Sequence, residues 1–262
     1  SWAVSPEEFP VDGGADQKLL FMLNFAILAP SSHNTQPWLF RLQGHEVDLI
    51  ADVNRALPVV DPANRELIIS CGAALHHLRL TARYFGYATG VEYFPDENYP
   101  DLLARISLGE PCETHTEDIL AFRAIGLRRT NRLPFLPNGL PVDLLNVFEQ
   151  LAEREGAWLQ MISGDEQRFA LAHLIGRADV AQWRDRRFRA ELAEWLTPNN
   201  SLRRDGIPGY AHGLSDLVSH AEPLLVRTFD LGKGQAARDR DIALYSPALA
   251  VLGCAGDTRA DW

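Results

Sequence analysis

The sequence predicts an α+β domain in which helices pack on a mixed β-sheet, and three observations carry that prediction. Leu19, Leu20, Leu23, Ile27 and Leu28 recur at helical spacing. Residues 38–53 alternate in period two. The order helix, strand pair, long helix is then followed by helix, strand, long helix. That recurrence suggests two related halves, about 1–115 and 120–262, within one domain spanning residues 1–262 and without obvious sequence identity between them.

The first helix is expected over 15–28, stopped by Pro30, with Pro37 holding the chain extended into Trp38. A hairpin follows, turning at Gln43-Gly44-His45-Glu46, with Trp38, Phe40 and Leu42 on one face and Val47, Leu49 and Ala51 continuing it. Asp61-Pro62 reads as an N-cap and first turn for a long helix over 62–85. Its middle, Ile68 to Leu80, is alanine-rich and apolar on most sides, which predicts burial on more than one face. Gly86 ends that helix and Thr89–Phe94 forms a strand.

Residues 95–126 read as a connector, with a strand-like piece at 104–108 and a helical one at 117–125. In the second half, Pro141-Val142-Asp143 opens a helix carrying Leu144, Val147, Phe148 and Leu151, and Gly156 closes it. A strand at 157–162 and a long helix from Asp165 to about Ala178 come next. Residues 183–196 form a charged amphipathic helix whose Phe188, Leu192 and Trp195 share a face. Residues 198–240, rich in Gly, Pro and Asn, read as a lid or ligand-covering excursion, and the spacing of Gly206, Gly209 and Gly213 suggests a mobile flap. A short apolar strand is expected at 247–253.

A formal charge of −10 argues against nucleic acid or an anionic membrane as a general partner, while leaving room for a local basic pocket. Cys71, Cys112 and Cys254 are odd in number, widely spaced and free of any C-x-x-C pair. They fit a reducing compartment better than a disulfide framework or a metal site. With no signal-like start and no run of ~18 apolar residues, a cytoplasmic protein is expected. No Walker or Gly-x-Gly-x-x-Gly pattern appears. His76 and His77 lie about 100° apart on their helix and cannot both face one site, so they read as core or surface side chains.

Two segments stand out. Residues 29–38 read Ala-Pro-Ser-Ser-His-Asn-Thr-Gln-Pro-Trp, between a helix and a strand. Hydroxyls and carboxamides there offer both donors and acceptors on a stretch too short to fold on itself. Taken alone, they equally describe a solvated turn. Residues 128–132 read Arg-Arg-Thr-Asn-Arg, three guanidiniums that repel one another unless solvated or shared by an anion.

The first segment resembles the flavin-ring motif of the nitroreductase superfamily, and the second its phosphate-and-ribityl motif, with Thr130 for a serine and Phe135 one residue late. The arrangement is similar to the internally duplicated, single-chain Acg-type branch, which Asp61–Leu75 and Trp195–Pro208 also resemble. The resemblance implies a nitroreductase-like mixed sheet flanked by helices, its two related halves forming an intramolecular pseudo-dimer. It implies FMN as cofactor, with Pro30, Ser31, Ser32, His33, Asn34 and Gln36 at the O2, N3, O4 and N5 edge of the ring. Arg128, Arg129 and Arg132 would hold the phosphate, and Thr130 and Asn131 the ribityl chain. One complete flavin site per chain follows, since each motif occurs once. NAD(P)H would be a transient electron donor, and the acceptor a small nitroaromatic or quinone-like molecule. Flavin storage without turnover is the alternative. The resemblance names no catalytic side chain, though His33 would suit a proton donor. It admits a monomeric pseudo-dimer or a homodimer. It also implies that family members continue beyond the position of Trp262, leaving the second half incomplete here.

Overall fold

A computed structural model describes residues 4–262, and the chain divides into two compact units. Among the described residues, one holds 4–130 with Trp262 and the other 131–261. The architecture is mixed α+β.

In the first unit, α1 (Ala15–Ala26) and α2 (Arg65–Tyr84) pack on a four-stranded sheet. Its strands β1 (Trp38–Gln43), β2 (Glu46–Ala51), β3 (Tyr87–Tyr93) and β4 (Leu102–Pro111) lie in the order β1-β2-β4-β3, antiparallel throughout. The hairpin closes at Gly44, whose φ of 61° suits a residue without a Cβ, and its register pairs Trp38 with Ala51. Alternation therefore puts Trp38, Phe40, Leu42, Val47, Leu49 and Ala51 on the face that meets the helices, as the pattern predicts. Leu19, Met22, Cys71, Ala74, Leu78, Val47 and Ile106 are fully buried between them.

The other face of the sheet carries Asp48, also buried. Register sets Arg41 and Arg105 on either side of it, and both guanidiniums bond its carboxylate, at 2.7 and 2.8 Å. Burial alone would raise its pKa; the bonds from Arg105 and then Arg41 outweigh that and hold the carboxyl below the usual range.

Helix α2 is buried on several faces, as expected, but begins at Arg65, not Pro62. Asn64 takes a left-handed conformation, so the chain cannot already be helical at Pro62. Asp61 still caps the helix: its Oδ2 accepts from the Leu67 amide at 2.9 Å. The 95–126 connector is more regular than expected. It contains all of β4 and all but the last residue of α3 (Thr116–Leu127), the latter tied to α2 by the Arg83–Asp118 pair at 2.7 Å. Stacked rings fasten the same region, Phe9 on Phe85 and Tyr84 on Phe122, each at 3.9 Å between centroids.

The second unit opens with α4 (Val142–Arg154) and β5 (Ala157–Met161). Helix α5 runs Asp165–Arg184, past the expected end at Ala178. Asp185 then caps α6 (Arg186–Trp195) by accepting from the Arg187 amide at 2.8 Å, which splits the expected 183–196 helix in two. Strands β6 (Leu196–Thr197) and β7 (Ile207–Pro208) pair in parallel. Helices α7 (Asp216–Thr228) and α8 (Gly232–Tyr245) follow, and β8 (Ala250–Cys254) pairs antiparallel with β5.

The lid expectation for 198–240 is corrected here. Most of that segment is helix, with α7 packed on α6 and α8 on α5. Gly206 and Gly209 are points of close contact, not hinges. A Cβ on Gly209 would stand 2.4 Å from the Ser219 Cβ, and one on Gly206 2.5 Å from the Trp195 carbonyl oxygen. No helix among the described residues is long and apolar enough to cross a membrane.

Candidate functional site

Residues 30–37 leave α1 and enter β1 through a single 3₁₀ turn, Ser32–Asn34. Within it and just beyond, His33, Asn34 and Gln36 have φ of 50°, 54° and 52°, a left-handed conformation that side-chain-bearing residues seldom adopt. The loop is fixed from within and from below. The Gln36 amide donates to Ser31 Oγ at 2.9 Å, and the Asn34 amide to the Ser31 carbonyl at the same distance. The Pro37 carbonyl accepts from the Asp52 amide at 2.9 Å and the Cys71 thiol at 3.3 Å. Burial, and then Asp52, push that thiol up to about 12, so it remains a neutral donor. Arg55, at the start of the β2–α2 connection, donates to the Thr35 carbonyl at 2.8 Å. Ser32 Oγ donates to Glu66 Oε2 in the first turn of α2. Thr35 and Pro37 are buried, Pro30 is exposed, and Ser31, Ser32, His33, Asn34 and Gln36 are half-buried.

Of the basic run, Arg128, Arg129 and Thr130 belong to this same unit. Arg128 Nη2 donates to the Leu28 carbonyl at 3.3 Å, two residues before Pro30, while its Nη1 reaches Thr130 Oγ1 at 3.3 Å. One cation of the run is thus docked at the entrance of the loop. Desolvation there, and then the charge of Arg129, lower its pKa. Arg129 bonds back to the Gly126 and Arg128 carbonyls. Asn131 and Arg132 belong to the second unit. Asn131 closes a turn through its bonds with Leu133, at 2.8 and 3.1 Å. The Arg132 carbonyl accepts from Arg238 at 2.9 Å, and desolvation lowers the Arg132 pKa.

Three residues whose part in the loop sequence reasoning missed support it: Arg55, Glu66 and Cys71. Each acts over a long separation, 34 residues for Ser32–Glu66 and for Pro37–Cys71, so no local motif announces it. His77 is buried in α2, and its ring bonds the Phe25 carbonyl while Nδ1 has no partner. Burial, and then the charges of His76 and Arg128, push its pKa down to about 4, so it is neutral at physiological pH. The second unit holds a separate cavity of about 960 Å³ among Trp183, Phe188, Val226, Asp179, His212 and Glu222. No sequence-predicted site residue lines it.

No family model matches the chain. Among curated proteins, it is 32% identical over 257 residues to an uncharacterised protein of Mycobacterium tuberculosis, covering 92% of this chain and 70% of that one. It is 36% identical over 203 residues to a protein of the same organism named "Putative NAD(P)H nitroreductase acg", covering 76% of this chain and 58% of the relative. A protein of the same organism named "Putative NAD(P)H nitroreductase Rv3131" is 32% identical over 195 residues, covering 74% and 55%. The chain thus spans somewhat over half the length of the relatives that carry a nitroreductase name. On its fold and these relatives, the chain belongs to the nitroreductase superfamily, alongside acg and its mycobacterial kin.

Proposed function

We propose that the chain binds FMN through residues 30–36 and 128–132 and uses NAD(P)H to reduce small nitroaromatic or quinone-like acceptors. The observation that carries this reading is the conformation of the loop. Three non-glycine residues at positive φ within a stretch of four cost of order 1–3 kcal/mol each. Such a shape persists where its surroundings impose it, and it clusters at ligand sites.

The donor set suits the group. A flavin needs donors and acceptors along one ring edge and cations at its phosphate. Ser31, Ser32, Asn34 and Gln36 supply the first, half-exposed on a loop fixed by Arg55 and Cys71. Arg128 and Arg129 supply the second, with Arg132 as a third cation, and Thr130 and Asn131 offer polar groups to the ribityl chain. Desolvation and then the charge of Arg129 lower the Arg128 pKa, a cost that a phosphate carrying about −1.5 to −2 charges would relieve.

When bound, the flavin supplies the hydride chemistry. The chain's own task is to orient the ring by its polar edge and to place donors where negative charge gathers on reduction. The relatives' names cite NAD(P)H and nitroreduction, which supports the donor and the class of acceptor.

Anaerobic stopped-flow mixing of the FMN-loaded protein with NADPH tests the reading. The bound flavin should bleach faster than free FMN at equal nucleotide. Reduction no faster than free FMN, with dithionite still reducing the bound flavin, would overturn the reductase in favour of flavin retention without turnover.

A further inference from the structure

The two adjacent serines of the loop carry opposite hydrogen-bonding polarity: the Gln36 amide sets that of Ser31, and Glu66 that of Ser32. A hydroxyl has one proton to give and two lone pairs. Ser32 gives its proton to Glu66 Oε2. That carboxylate sits in the first turn of α2, where the helix dipole favours negative charge, and an ionised carboxylate only accepts. Ser32 Oγ can therefore meet a ligand as an acceptor. Ser31 is committed the other way: its Oγ receives the Gln36 amide proton at 2.9 Å, so its own proton stays available. Both side chains are half-buried, reachable from solvent yet held in place.

We infer that Glu66 is a positioning residue that makes Ser31-Ser32 a fixed donor–acceptor pair, selective for an imide edge in which a carbonyl lies beside an N–H. Ser31 donates to the carbonyl and Ser32 accepts from the N–H. Resting on the FMN reading, the inference narrows it to the ring's N3–H and one flanking carbonyl. A ligand bearing acceptors at both positions would leave two lone pairs facing each other at Ser32, a desolvated mismatch.

The test measures binding, by flavin fluorescence, of FMN and of N3-methyl FMN to the full chain and to Ser32→Ala, Glu66→Ala and Glu66→Gln. In the unchanged protein, methylation at N3 should weaken binding by about tenfold or more, for one lost bond and a crowded methyl. Ser32→Ala should shrink that penalty several-fold, and it leaves α2 untouched. Glu66→Ala should also shrink it, because the freed Ser32 hydroxyl can rotate its proton toward the ligand. Glu66→Gln keeps a carbonyl that accepts the Ser32 proton and should restore most of the penalty. An N3-methyl penalty that is the same in all four proteins, with FMN still binding, would overturn the role of Glu66 and leave the FMN site standing. Failure of the unchanged chain to bind FMN would overturn both.

Discussion

At the scale of single residues, desolvation lowers the pKa of both Arg128 and His77, with opposite consequences. Arg128 sits at the loop entrance with a lowered pKa, a cation waiting for a counter-charge. Arg128→Ala removes a charge-assisted contact worth roughly 1.5–3 kcal/mol, so FMN affinity should fall by about 10- to 100-fold. Riboflavin, which lacks the phosphate, should be barely affected, and equal losses for both ligands would sink the phosphate assignment. His77 is neutral in the fold because burial pushes its pKa from 6.5 to about 4. A depressed pKa places its stability contribution above the unfolded value and removes it as pH falls. Between pH 6.5 and 4 the unfolded chain binds a proton that the folded chain refuses, at a cost approaching ~3 kcal/mol. His77→Leu should therefore flatten the fall in melting temperature across that window, read by circular dichroism at pH 7, 5.5 and 4.

At the scale of elements, the sequence was most legible where one face is buried. Period two in 38–51 and the apolar faces of α2 translate directly into the sheet and its central helix, because a slip of one residue would turn Val47 and Leu49 outward and Asp48 inward. Cross-strand Arg41 and Arg105 reinforce that register, since sliding β2 would separate both from their carboxylate. Glycine was the misleading signal. The spacing of Gly206, Gly209 and Gly213 suggests a mobile flap, yet Gly206 and Gly209 are where backbone and side chain come too close for a Cβ. Gly209→Ala should accordingly destabilise the protein by about 1–3 kcal/mol through overpacking against Ser219, measured by urea denaturation. A neutral result would restore the flap reading. The motif 30–36 was legible as chemistry, but its supports were not. Arg55, Glu66 and Cys71 reach it through tertiary folding alone.

At the scale of the whole molecule, the division into two units bears on stoichiometry. The ring motif and the first three residues of the basic run fall in one unit, and no second copy of either motif exists in the chain. One flavin per chain is the expected ratio, checked by quantifying FMN released on heating against protein concentration. A ratio near two would refute the single-site assignment.

The left-handed loop also sets two selections against each other. Glycine at position 33, 34 or 36 would occupy the same backbone conformation without steric penalty, as it does at Gly44. A library screened for heat resistance alone should therefore drift toward glycine wherever relief of backbone strain outweighs the native side chain's own contacts, gaining a few tenths to 1 kcal/mol at such a site. A library screened for ligand capture should hold the native side chains and forgo that gain. Sequencing both populations would show which of the three side chains is kept for folding and which for binding.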